Sequence, residues 1–168
     1  MTIVLIAGGA RSGKSRRGLE LARELNTDNE LIHFIATAQA SDTEMIERIR
    51  QHQSERKEGF LLQEEHHDLV SALAKNLDCR ITIVDCLTLW LSNNLSTETH
   101  GHFQEVIMAA KRRPGHTIFI TNEVGEGIVP MHPVSRLFRD LSGQMNQHFA
   151  REANSVEYMQ LGIATKLK

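Results

Sequence analysis

Five runs of apolar, mostly β-branched residues punctuate the chain, at 3–7, 31–36, 81–85, 117–121 and 156–161. The first four lack a clean in/out alternation, which is the pattern of strands covered on both faces. Between the runs lie longer stretches with helical spacing. Residues 14–25 carry Leu19, Leu21, Ala22 and Leu25 at overlapping i, i+3 and i+4 positions, and 42–57, 68–77, 102–112 and 134–151 also predict helices. Strands alternating with helices imply right-handed crossovers and a mostly parallel sheet flanked by helices, an α/β fold. The strand order cannot be deduced from this pattern.

The chain of 168 residues shows no repeat and no linker, so one domain spanning 1–168 is expected. Lys plus Arg against Asp plus Glu leaves a net charge of −2. That balance argues against non-specific nucleic-acid binding, which needs many cations against phosphates. An anionic ligand must therefore be held by a local constellation. Two cysteines, Cys79 and Cys86, fit neither a zinc ribbon nor a disulfide scaffold, and Cys86 reads as a small buried hydrophobe. No apolar run approaches the ~20 residues that cross a bilayer. No cation precedes the first apolar run, so no secretory signal is expected there. The expectation is a soluble, cytoplasmic protein without a membrane partner.

The densest chemistry lies at residues 8–15, GGARSGKS, where Gly8 is followed after four residues by Gly13, Lys14 and Ser15. An apolar strand precedes this phosphate-loop pattern and a helical pattern follows it, the context that a phosphate loop requires. Glycines let backbone N–H groups approach phosphate oxygens, and the helix brings its positive end to the same place. Gly8, Gly9, Ala10, Arg11, Ser12, Gly13, Lys14 and Ser15 are thus the candidate nucleotide cradle. Lys14 is expected to reach the terminal phosphates of ATP or GTP, and Ser15 to offer its hydroxyl to Mg²⁺. Asp85 closes the apolar run 81–85 and is the candidate second magnesium ligand; an Asp capping the next helix is the other reading of it.

If 42–57 is helical, Glu44, Arg48, His52 and Arg56 fall four apart on one face. Like charge from Arg48 and Arg56 disfavours the imidazolium and leaves His52 a free lone pair, while the same arginines attract phosphate. A neutral imidazole beside a triphosphate is a competent nucleophile toward phosphorus. With nine histidines in the chain, an ordinary surface or packing role for His52 is the competing reading.

GGARSGKS, then IATAQASDTEMIERIRQHQSER, VDCLTLWLSNNL, TNEVGEGIVP and SRLFRDLSGQMNQHFA follow one another in order. This series resembles the bifunctional adenosylcobinamide kinase / adenosylcobinamide-phosphate guanylyltransferase family of cobalamin biosynthesis. The resemblance covers nearly the whole chain, and the stretches at 121–125 and 138–147 and the ERIxxH motif at 47–52 carry most of its specificity. It implies a RecA-like P-loop fold, assembly as a homo-trimer, and two reactions. A nucleoside triphosphate phosphorylates adenosylcobinamide; a histidine then takes GMP from GTP and passes it to adenosylcobinamide phosphate. The family's guanylylated histidine falls on His52, its phosphate loop on residues 8–15 and its acidic strand end on Asp85. After Arg56 the family runs into arginine-proline and a tryptophan, whereas this chain has Lys57, Glu58 and Phe60.

Glu123 follows the fourth run, where ligands of open α/β sheets bind. It is a candidate base for the attacking hydroxyl or a group that helps order Mg²⁺, the alternative being that Asn122 and Glu123 satisfy backbone groups in a tight loop. Arg136 is read either as a phosphate contact or as a solvated arginine. Leu137, Leu141, Met145 and Phe149 form an apolar stripe expected in the core or a subunit contact, and Trp90 is expected to pack. Two other functions fit the phosphate loop. One is a kinase without the guanylyl step, and the other is a nucleotide-dependent switch that transfers nothing.

Overall fold

The computed structural model describes residues 1–39, 59–96 and 100–168. Their seven strands are β1 (Thr2–Gly8), β2 (Ile32–Ala36), β3 (Phe60–Glu64), β4 (Ile81–Asp85), β5 (His116–Asn122), β6 (Ser155–Gln160) and β7 (Ile163–Lys166). They form one sheet in the order β3-β2-β4-β5-β1-β6-β7. All neighbouring pairs are parallel except β6 and β7, which form an antiparallel hairpin. The described helices are α1 (Lys14–Leu25), α2 (Leu69–Leu73), α3 (Leu87–Asn93), α4 (His100–Arg112) and α5 (Pro133–Glu152).

Two apolar layers explain the missing alternation. Ile3, Leu5, Ile35, Val84 and Phe119 face one way and pack with Trp90, Val106, Met145 and Phe149 of α3, α4 and α5. Val4, Ile6, Phe34, Ile83, Ile118 and Ile120 face the other way and pack with Leu19 and Ala22 of α1. Successive residues alternate faces with period two, and both faces are dry. Phe119 and Phe149 meet edge to face with ring centroids 4.9 Å apart. Leu141, Met145 and Phe149 are buried as their spacing predicts. Trp90 is also buried, and its indole N–H donates to the His67 carbonyl at 2.8 Å.

Two strands were not foreseen. β3, FLLQE, is an edge strand in which Leu61 and Leu62 are exposed, so its short apolar run is not matched by burial. β7 is exposed at all four residues and owes its place to the turn at Leu161 and Gly162, both at positive φ (55° and 80°). The predicted helix 68–77 shrinks to α2, capped by Asp68, whose carboxylate accepts the Ser71 N–H at 2.9 Å.

The carbonyls beyond α2 are gathered by one buried cation. The Arg113 guanidinium donates to the carbonyls of Leu73, Lys75 (2.6 Å) and Asn76 (3.0 Å). Burial pushes its pKa below the ordinary arginine value, the neighbouring Cys79 offsetting this in part. Arg113→Ala is expected to destabilise the chain by about 2–4 kcal/mol, because buried carbonyls lose charged donors. Urea unfolding checks this; a change under ~0.5 kcal/mol, the range of ordinary surface substitutions, contradicts it.

Candidate active site

β1 is where the connections diverge: the chain passes from β1 to β2 on one side of it, and from β5 across to β6 on the other. In an open parallel sheet the crevice beyond the carboxyl ends at such a point is where ligands bind. The 8–15 loop leaves β1 there and enters α1. Arg11 lies at φ 55°, and Gly13, the residue before α1, at φ 96° with no side-chain cap on the helix. The turn closes through Ser12 N–H to the Gly9 carbonyl at 3.3 Å, and the first helical bond runs from Arg17 N–H to the Gly13 carbonyl at 2.9 Å. The leading N–H groups of α1 therefore point into the loop mouth without a side-chain partner, the arrangement that receives an anion.

Lys14 is only 7% exposed. Its ammonium donates to the Gly9 carbonyl at 2.5 Å and to the Ser12 hydroxyl at 3.4 Å. Burial pulls its pKa below the usual lysine value, with the charges of Cys86 and Asp85 offsetting part of that. Asp85 is thus within electrostatic reach of the cradle, at the end of β4 and half-buried. β5 lies between β4 and β1, with Asp85 level with Ile120, and Ile120 with Ile6. The carboxylate is therefore two strands from β1, about 10 Å in backbone terms. The residues after Asp85 are fixed by Thr37, wholly buried. Its hydroxyl donates to the Cys86 carbonyl and accepts the Cys86 N–H, both at 2.7 Å. The Cys86 thiol is pushed up to about 12, first by burial and then by Asp85, which suits the packing role expected of it.

The hairpin of β6 and β7 closes the other side of the loop. A Cβ on Gly8 would run into the Met159 carbonyl oxygen and lie 2.9 Å from the Ser12 hydroxyl. One on Gly13 would touch the Met159 methyl at 3.6 Å and the Gly162 Cα at 3.8 Å. Gly8→Ala is expected to weaken nucleotide binding at least about tenfold, ~1.4 kcal/mol, because the loop must shift off its cradle geometry. Titration with a fluorescent nucleotide measures it, and unchanged affinity refutes the fit.

Glu123 follows the end of β5, and its N–H donates to the Gly8 carbonyl at 2.9 Å. One carboxylate oxygen accepts the Gly125 N–H at 2.6 Å, and the other accepts the Asn146 side-chain amide at 3.4 Å. Glu123 therefore satisfies a backbone group of its own loop, and its own backbone is bonded to the cradle at Gly8. The Arg136 guanidinium donates through one nitrogen to the carbonyls of Pro130 (3.0 Å) and Met131 (2.7 Å). It ties the exposed 124–132 segment to the start of α5.

His52, Arg48 and Arg56, with Glu44, lie outside the described residues. Ser15 and Asp85 are hard oxygen donors, a hydroxyl and a carboxylate, and this donor set suits Mg²⁺ when phosphate and water supply the remaining ligands. No group of three or more His, Cys, Asp or Glu side chains converges elsewhere among the described residues to hold a metal. A cleft between α2, α3 and α4, lined by His67, Trp90, Glu105 and Arg112, includes none of the predicted site residues. Thr37, Thr88, Asn146 and Met159 were not singled out by sequence. A buried threonine or methionine in an apolar run carries no signal, whereas Asn146, polar beside Met145 in an apolar stripe, does.

Residues 4–167 match the family model described as cobinamide kinase / cobinamide phosphate guanyltransferase. The chain is 37% identical to the bifunctional adenosylcobalamin biosynthesis protein CobP of Pseudomonas aeruginosa, covering 98% of this chain and 96% of the relative. It is 33% identical to the CobU protein of the same description from Escherichia coli, covering 99% of each. Among solved structures, the flagellar accessory protein FlaH of Methanocaldococcus jannaschii superposes with a TM-score of 0.58 at 13% identity, over 99% of this chain and 78% of that one. That likeness bears on the fold alone, which is of the P-loop ATPase kind.

Proposed function

This chain belongs to the cobinamide kinase / cobinamide phosphate guanyltransferase family, and from that premise we propose that its phosphate loop serves two successive transfers. In the first, the loop backbone of residues 8–15 and Lys14 hold the β- and γ-phosphates of ATP or GTP. The hydroxyl on the aminopropanol arm of adenosylcobinamide attacks the γ-phosphorus, Glu123 accepts its proton, and the bond to the β-phosphate oxygen breaks. Lys14 neutralises charge that grows on the phosphoryl oxygens. In the second, the His52 lone pair attacks the α-phosphorus of GTP and pyrophosphate leaves. A phosphate oxygen of adenosylcobinamide phosphate then displaces the imidazole and takes the GMP. Arg48 and Arg56 hold the phosphates and keep the imidazole neutral. Ser15 and Asp85 would hold Mg²⁺, which supplies positive charge to the phosphate oxygens when bound.

The observation supporting this most is the bond between the Glu123 N–H and the Gly8 carbonyl at 2.9 Å, which joins the candidate base and the phosphate cradle in one unit. The net charge of −2 supports small-molecule substrates over nucleic acid. A trimer working in the cytoplasm as one domain of residues 1–168 completes the reading. Among the described residues no helix is long and apolar enough to cross a membrane. The test is to supply adenosylcobinamide with GTP labelled at either phosphorus. Label from the γ position is expected in a phosphorylated corrinoid, and label from the α position in a corrinoid linked to GMP. Transfer from γ alone would leave a plain kinase, and hydrolysis indifferent to corrinoid would leave a switch.

A further inference from the structure

Beneath the Glu123 loop lies a closed ring of hydrogen bonds whose direction can be worked out. The Asn122 N–H can only donate, and it reaches the Thr88 hydroxyl at 2.6 Å. The hydroxyls of Thr88 and Thr121 are 3.3 Å apart, and Thr121 lies 2.7 Å from the Asn146 side-chain oxygen. Thr121 has one proton, committed to Asn146 by the shorter contact, so Thr88 donates to Thr121. The ring closes through the Asn146 amide nitrogen, which reaches the Asn122 carbonyl at 3.2 Å and the Glu123 carboxylate at 3.4 Å. Both of those partners accept only. A flipped amide would set oxygen against two oxygens, so the orientation of Asn146 is fixed.

Thr88 and Thr121 are buried, at 5% and 0% exposure, and every proton in the ring has a destination. Such a ring defines one geometry sharply, because any rotation leaves a buried group unpaired. Its members come from α3, β5 and α5; Asn122 lies level with Gly8 in the β1–β5 ladder, and the side-chain link toward the cradle is the bond to Glu123.

We propose that Asn146 is a positioning residue for the Glu123 carboxylate, holding the oxygen left over by Gly125 so that the carboxylate faces the phosphate loop at a set angle. This rests on the reading of Glu123 as the base in phosphoryl transfer. A misplaced base costs rate and leaves nucleotide binding intact. Asn146→Ala is therefore expected to lower the γ-phosphoryl transfer kcat roughly 10- to 100-fold, with the KM for nucleotide within about twofold.

The decisive readout is a double-mutant cycle with Glu123→Gln, run on the full chain with the γ-labelled kinase assay and a thermal melt of every variant. Once the carboxylate is gone, Asn146→Ala should change kcat by less than about twofold. Equal losses in both backgrounds would show that Asn146 only supports the fold and would overturn the proposal. So would an unchanged kcat on Asn146→Ala in the protein that keeps the Glu123 carboxylate. If Glu123→Gln alone keeps the full rate, the base reading fails and carries the proposal with it, a result distinct from additive losses. Should Asn146→Ala melt below the assay temperature, Asn146→Asp reads the same cycle, since it keeps the acceptor for Thr121 and loses the donor to Glu123.

Discussion

Replacing Lys14 by alanine is expected to lower phosphoryl transfer by roughly 10²–10⁴-fold, the usual size of a lost electrostatic contact made in the transition state. The ammonium is nearly out of water, and among the described residues its bonds are to the Gly9 carbonyl and the Ser12 hydroxyl. A cation held in that way is costly to the empty loop, as the downward pull of burial on its pKa shows. In the proposed mechanism it stabilises the growing charge on phosphate more than it stabilises the fold. Lys14→Ala should therefore keep its thermal midpoint within a few degrees, or raise it. Because one loop is assigned to both reactions, GMP transfer should fall as well. Steady-state rates for both half-reactions, set beside a thermal melt, check this. A variant that retains either activity at the original rate refutes a shared cradle.

His52→Ala should have the opposite profile. Removing the nucleophile leaves nothing to carry GMP, so nucleotidyl transfer should drop to background, more than about 10³-fold if the whole covalent route is lost. The kinase step, proposed to draw on the loop, Asp85 and Glu123, should stay within a few-fold of the original rate. Arg48→Ala and Arg56→Ala are expected to be intermediate cases, because in the proposed reading each arginine holds phosphate and disfavours the His52 imidazolium. Assaying the two half-reactions separately gives the answer. If both collapse in a folded His52→Ala protein, the division of labour is wrong.

The sequence revealed the fold unevenly, for physical reasons. β1, β4 and β5 are covered on both faces, so their apolar runs stood out from their surroundings. The 8–15 loop was legible because its glycines are demanded by geometry: a Cβ at Gly8 has no room beside Met159. β3 and β7 are edge strands of only five and four residues, β7 exposed throughout, and such short segments are easily read as loops. The place of β5 between β1 and β4 depends on long-range pairing that no local pattern encodes. That placement brings Glu123 closer to the loop than Asp85, which spacing along the chain did not suggest. Arg136 was read as a ligand contact or a solvated residue because charge alone does not reveal its partners, the carbonyls of Pro130 and Met131. The resemblance through the 138–147 stretch was specific, yet the ring through Thr88, Thr121 and Asn146 emerges only once three elements are packed together.

The claim on which the account turns is a covalent one, and it can be read directly. The protein is incubated with GTP labelled at the α-phosphorus, without corrinoid, then denatured, digested and mapped by mass spectrometry. The account predicts an acid-labile, alkali-stable GMP adduct on the peptide containing His52, absent from His52→Ala and discharged by adenosylcobinamide phosphate. An intact protein that completes GMP transfer yet carries no adduct at His52, or carries it on another residue, contradicts the account.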